Sequence, residues 1–129
     1  MNIGKLQQLV DANAAEDNGV SGIYVLDKRG ESLVTSLVRG ADGAIDNLGI
    51  EDSVPSLIQV KEILSSGQRT DFGDFQYLLI GFEQGELIIT IIGNIDDPIT
   101  IIFVVLDSKK SGAARRTARL CTPQIKALL

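Results

Sequence analysis

The sequence contains no histidine, no tryptophan and one cysteine. Without imidazole there can be no Ser-His-Asp or Cys-His nucleophile pair and no histidine-based metal site. A lone cysteine excludes an internal disulfide, and a reducing cytosol is the compartment this usage predicts. No apolar run approaches the ~18 residues that a bilayer span requires. Met1-Asn2-Ile3-Gly4-Lys5 offers no basic stretch before an apolar one, so no secretory signal, lipid anchor or membrane span is expected. Glycine is plentiful, at 13 residues, yet no glycine run ends in the Gly-Lys-Ser/Thr of a phosphate loop.

The remaining chemical signals are weak. Asp71-Phe72-Gly73 spells a kinase magnesium triplet, but 129 residues are too few for a kinase and no nucleotide loop accompanies it. It reads as a turn before a strand. Asp96 and Asp97 sit beside Pro98, as a solvated turn would place them. Cys121 falls in the apolar stripe of a helix and reads as a core thiol rather than a nucleophile. The expectation is a protein that is not an enzyme and that carries no cofactor and no metal.

Hydrophobic residues make up 44% and charged residues 22%, which suits one folded domain over 1–129. The net charge of −5 is unevenly spread. Residues 107–129 hold six cations, Lys109, Lys110, Arg115, Arg116, Arg119 and Lys126, against Asp107 alone. That segment is therefore +5, which leaves −10 for the preceding residues. An acidic body argues against nucleic acid as the main partner. The basic segment reads mainly as a solvated helix face, with an acidic protein partner as the lesser reading.

The densest signal is Glu86 to Leu106. Two β-branched runs flank the turn residues Gly93, Asn94, Asp96, Asp97 and Pro98. Neither run alternates apolar with polar, so both faces of these strands must be covered. Ile99, Ile101, Phe103 and Val105 point one way, and Thr100, Ile102, Val104 and Leu106 the other.

The rest of the chain supplies the cover. Ile3, Leu6, Val10 and Ala14 predict a helix over about 2–16, ended near Asn18-Gly19. Val20 to Asp27 and Glu31 to Leu37 predict a hairpin around Lys28-Arg29-Gly30. A long polar connection, 39–52, follows, of a kind that is functional or mobile, and the mobile reading is preferred. Asp52 or Ser53 is expected to cap a middle helix over about 54–66, closed by Ser66-Gly67. Strands over Phe75–Phe82, Glu86–Ile92 and Ile99–Leu106 form a meander. A last helix from Ser111 to Leu129 buries Ala114, Thr117, Ala118, Cys121, Ile125 and Leu128, with Pro123 expected to kink it. The order α-β-β-α-β-β-β-α predicts an α/β fold of the α+β type. A five-stranded antiparallel sheet is sandwiched between the first and last helices on one face and the middle helix on the other.

The middle helix is too greasy for that role alone. At about 100° per residue, Val54, Leu57, Ile58, Val60, Ile63 and Leu64 span an arc of ~220°. Covering a sheet takes a stripe of little more than ~100°. The surplus predicts a second apolar partner, most simply the same helix of another subunit across a two-fold axis.

With its order of elements, the chain resembles the roadblock family, which includes a dynein light chain and the bacterial MglB-type polarity regulators. The hairpin Gly19-Val-Ser-Gly-Ile-Tyr-Val-Leu-Asp-Lys-Arg-Gly-Glu carries the resemblance, with its Asp-x-x-Gly turn at Asp27 to Gly30. So do the apolar middle helix, the meander, and the junction Leu106-Asp-Ser-Lys-Lys-Ser-Gly-Ala-Ala-Arg-Arg, with a small residue, Gly112, at the helix start. The long 39–52 connection and Pro123 depart from the family pattern. The resemblance implies a roadblock-like, non-enzymatic dimer, homodimeric or formed with a related chain, joined through the middle helix and the edge strand beside it. The expected interface residues are then Leu57, Val60, Ile63 and Leu64 from the helix, and Phe75 and Tyr77 from the strand. It further implies a cytoplasmic regulator or scaffold that binds a small Ras-like GTPase and modulates its nucleotide cycle. The alternative is a passive adaptor that recruits a peptide or another roadblock chain. No arginine stands out as a charge donor in trans, so any stimulation would act by positioning. A PAS-like sensor fits poorly, because bulky residues on both strand faces leave no cavity. A longin domain would begin with its sheet rather than with a helix.

Overall fold

The computed structural model describes residues 1–41, 49–65, 73–94 and 96–129. The elements are α1 (Ile3–Asn13), β1 (Gly22–Leu26), β2 (Ser32–Leu37), α2 (Val54–Ser65), β3 (Leu78–Phe82), β4 (Gly85–Ile92), β5 (Ile99–Val105) and α3 (Ser111–Leu128). The strands form one antiparallel sheet in the order β2-β1-β5-β4-β3. The expected α+β architecture is therefore the observed one, with β5 at its centre and the hairpin docked onto β5 through β1.

All seven residues of β5 and all five of β1 are buried. Their side chains divide by parity into two cores. Ile23, Val25, Ile88, Ile101, Phe103 and Val105 pack with Leu6 and Val10 of α1 and with Ala114, Ala118, Cys121 and Ile125 of α3. Tyr24, Leu26, Leu87, Ile89, Ile102 and Val104 form the second core, under Val54, with Leu57 and Ile58 half-buried against it. Each such aliphatic side chain contributes about 1.5–3 kcal/mol when fully buried.

Several boundaries differ from expectation, each for a local reason. Helix α1 stops at Asn13, where the Asn13 side-chain amide donates to the Leu9 carbonyl at 2.8 Å. A 3-10 turn, Glu16–Asn18, follows, and Gly19 ends it in the left-handed conformation at φ 74°. Asparagine competes with the helix ladder in this way. Ile3, expected in the buried stripe, is exposed. Ahead of α2 a 3-10 turn, Glu51–Ser53, runs directly into the helix, and the Ser53 hydroxyl donates to the Gly49 carbonyl. Strand β3 begins at Leu78, not Phe75, because the Gln76 carbonyl is taken by the Thr90 hydroxyl at 2.6 Å instead of by a ladder bond. Pro123 lies inside the continuous helix Ser111–Leu128, on its exposed side, where the Arg119 carbonyl it leaves without an N–H can face water. Half of the 39–52 connection, the Ser66-Gly67 stop, and Asp71 and Phe72 lie outside the described residues.

The β1–β2 turn matches the sequence reading. The Asp27 carboxylate accepts from the amides of Arg29 and Glu31, and Gly30 takes φ 85°. A Cβ there would also collide with the carbonyl of Glu51. Gly112, at the start of α3, has only open space around a built Cβ. Gly30→Ala should therefore lose about 1–3 kcal/mol in urea unfolding, while Gly112→Ala should be neutral or gain about 0.5–1 kcal/mol. Equal stability of the two variants would contradict this packing.

Candidate interaction surface

On α2 only Val54 is fully buried; Leu57, Ile58 and Leu64 are half-buried. Val60 is 38% and Ile63 61% exposed. Eight large hydrophobic residues are exposed among the described residues, and five of them are Val60, Ile63, Tyr77, Leu79 and Phe82. Large apolar exposure is thus concentrated on one helix and the segment through β3. Scattered surface aliphatics need no explanation, but a cluster does.

The cluster borders a bare sheet edge. β3 pairs with β4 on one side, and no described strand pairs with its other side. Its sequence, Leu-Leu-Ile-Gly-Phe, carries none of the charges or prolines that usually blunt an edge. The opposite edge, β2, is managed differently. Helix α1 lies against it, and the Gln7 side-chain amide donates to the Thr35 carbonyl at 3.0 Å.

Parity decides which side each β3 residue serves. Leu78 pairs with Ile89 and Ile80 with Leu87, so both face α2 and join its core. Phe82 shares that parity and is 54% exposed. Leu79 pairs with Ile88 and faces the α3 side. Of the six interface residues expected from sequence and resemblance, Leu57, Val60, Ile63 and Leu64 lie on α2. Phe75 and Tyr77 precede β3 rather than lie in it, and Tyr77 lines a groove beside α3, on the far side of the sheet from α2. Phe82 was missed. It closes the strand just before Glu83-Gln84-Gly85, and its parity with Leu78 and Ile80 was the available signal.

Lys61 is the polar exception on α2. Its ammonium donates to the Ile91 carbonyl at 2.7 Å, past the point where β3 stops pairing with β4. Desolvation, and then the charge of Lys126, hold its pKa below the ordinary lysine value. Among the described residues no group of three or more His, Cys, Asp or Glu side chains could hold a metal ion. Nor is any helix long and apolar enough to cross a membrane. Asp96 and Asp97 are exposed in a turn closed by the Asp97 amide on the Asn94 carbonyl.

No protein-family model matches the sequence, and no curated protein matches it. Solved structures do match in fold. MglB of Myxococcus xanthus superposes with a TM-score of 0.67 at 15% identity, covering 98% of this chain and 89% of that one. The gliding protein MglB of Thermus thermophilus gives 0.66 at 12% identity, over 92% and 83%. A Roadblock/LC7 domain from a Streptomyces species gives 0.58 at 16%, over 93% and 97%. The fold is the roadblock fold, as the sequence resemblance implied.

Cys121 is fully buried in the first core, and burial pushes its thiol up from 9.0 to about 11. The folded protein then keeps a proton that the unfolded chain releases, so this contribution to stability is complete below pH 9.0 and declines toward pH 11. Cys121→Ala should trail the wild type in stability below that window, by a margin that shrinks through it. Ellman's reagent should leave the native thiol unmodified until the protein unfolds. Rapid labelling of native protein, or a margin independent of pH, would contradict a core thiol.

Proposed function

We propose that this chain forms one roadblock-like, non-catalytic domain over 1–129 that pairs through α2 and the free edge of β3, and that the paired surface holds a small Ras-like GTPase. The observation that carries the pairing is the coincidence of an unprotected strand edge with exposed Val60, Ile63 and Phe82. Two copies related by a two-fold axis could lay β3 against β3 and the uncovered sides of α2 against each other. One operation would satisfy the open backbone edge and remove the exposed apolar surface from water. The seam would be built from Leu57, Val60, Ile63 and Leu64, with Phe75 and Phe82 near the joined edges and Tyr77 at their far side.

The GTPase part of the proposal rests on the resemblance in the hairpin, middle helix and meander, and on the likeness in fold to the two MglB structures. The mechanism would be binding alone. A preformed two-subunit surface favours whichever arrangement of the GTPase switch segments it contacts best, and shifts the nucleotide cycle by that difference in affinity.

Solution mass at micromolar concentration should give twice the chain mass. Val60→Asp and Ile63→Asp should each weaken association by at least ~100-fold, about 3 kcal/mol, because a carboxylate would be buried at the seam. If both variants remain dimeric, the seam lies elsewhere; a monomeric wild type removes the pairing altogether. For the partner, GTP hydrolysis and nucleotide release by a Ras-like GTPase from the same genome should change on addition of this protein, with co-elution on a sizing column. Unchanged rates without co-elution would rule out the GTPase, and co-purification with a different protein would point to an adaptor.

A further inference from the structure

Helix α3 packs on β5 and β4 and leaves the outer strip of that sheet face open. Ile23, Phe103, Ile88 and Leu79 form one cross-strand row on this face. The first three are buried, and Leu79, at the end of the row, is exposed. Between α3 and the chain entering β3 lies a groove of about 480 Å³. Ile88 and Phe103 lie at its floor, Arg115, Arg116 and Arg119 line its helix wall, and Tyr77 lines the opposite wall. The far wall is fixed in place by the Thr90 hydroxyl bonded to the Gln76 carbonyl.

Arg119 lies one turn on from both Arg115 (i+4) and Arg116 (i+3), so the three share one helix face. Arg115 reaches Glu86 at 3.8 Å, in a half-exposed pair worth little by itself. Among the described residues, Arg116 and Arg119 have no ion-pair partner. Two unneutralised guanidinium groups therefore stand over an apolar floor, in the +5 segment of a chain whose remainder is −10.

We infer that this groove binds a short acidic peptide segment of a partner protein, with carboxylates on the arginine wall and an apolar side chain on the floor. The lining of the helix wall runs from Gly112 to Pro123. That is roughly 16 Å at the helical rise, room for about five residues of extended chain. A long polyanion would meet repulsion from the acidic body beyond this strip. A flat anionic membrane would not reach a recessed floor. Guanidinium groups suit carboxylates because they can donate two parallel hydrogen bonds. The groove is complete within one chain, so the inference stands independently of the pairing proposed above. Tyr77 lies at the groove and close to the proposed seam, and the test therefore leaves it unchanged.

The test is fluorescence anisotropy on the full chain with a labelled short peptide of alternating glutamate and leucine. Binding is expected, falling with added salt. It should weaken by at least ~10-fold with Arg116→Glu/Arg119→Glu, and similarly when the peptide glutamates become glutamine. Lys5→Glu/Arg29→Glu makes the same change in net charge outside the groove and should alter affinity by no more than about twofold. The arginine variant should keep the wild-type circular dichroism spectrum and solution mass, which separates this result from failure of the pairing. The inference is overturned if the glutamate peptide does not bind, if the glutamine peptide binds equally well, or if both charge-reversed proteins weaken alike. Binding to phosphatidylserine vesicles in place of the peptide would overturn it as well.

Discussion

Burial of β5 on both faces and along both edges is the constraint on which the rest depends. Seven consecutive residues, Ile99 to Val105, are buried, with β1 on one side and β4 on the other. A strand in that position can satisfy its backbone only through its neighbours' ladders, and its side chains only through two separate cores. Three helices must then cover two faces. α1 and α3 share one, and α2 alone takes the other. The division is unequal, and α2 carries more apolar surface than a single sheet face can bury.

That imbalance connects the fold to its use. The α2 side ends at an edge strand without protective charges, whereas α1 packs against β2 and the Gln7 amide bonds its Thr35 carbonyl. A bare, uncharged edge strand is a ready template for pairing with another chain. Charge is placed on the other side. The arginines of α3 stand over a strip of sheet that no described helix covers, so they and the exposed Val60 and Ile63 of α2 occupy opposite faces of the sheet. The pushed-up thiol of Cys121 sits in the first core, away from both the β3 edge and the arginine groove.

Much of the fold could be read from residue pattern because its strongest signals are periodic. The parity of Ile99, Ile101, Phe103 and Val105 against Thr100, Ile102 and Val104 predicted which residues share a buried face, though not which helices cover each set. The stripe Ala114, Thr117, Ala118, Cys121, Ile125 did the same for α3. Endings were less legible, since side-chain hydrogen bonds set them: Asn13 on Leu9 stops α1, and Thr90 on Gln76 delays β3. The surplus arc of α2 was visible as surplus, and Val60 and Ile63 are exposed in the protomer. The groove was not visible at all. It depends on how far α3 is displaced across the sheet, which no local pattern encodes. The arginines could be placed on the outer face of the helix, but not beside an open row of the sheet.

Hydrogen–deuterium exchange across a range of protein concentrations tests the central claim most directly. If α2 and β3 complete their burial in a second subunit, amides in 54–65 and 78–82 should gain protection as concentration rises through the dissociation constant. Those of β1 and β5 should stay strongly protected throughout. Protection of α2 and β3 that is already maximal in dilute monomer, and unchanged on concentration, would contradict the account.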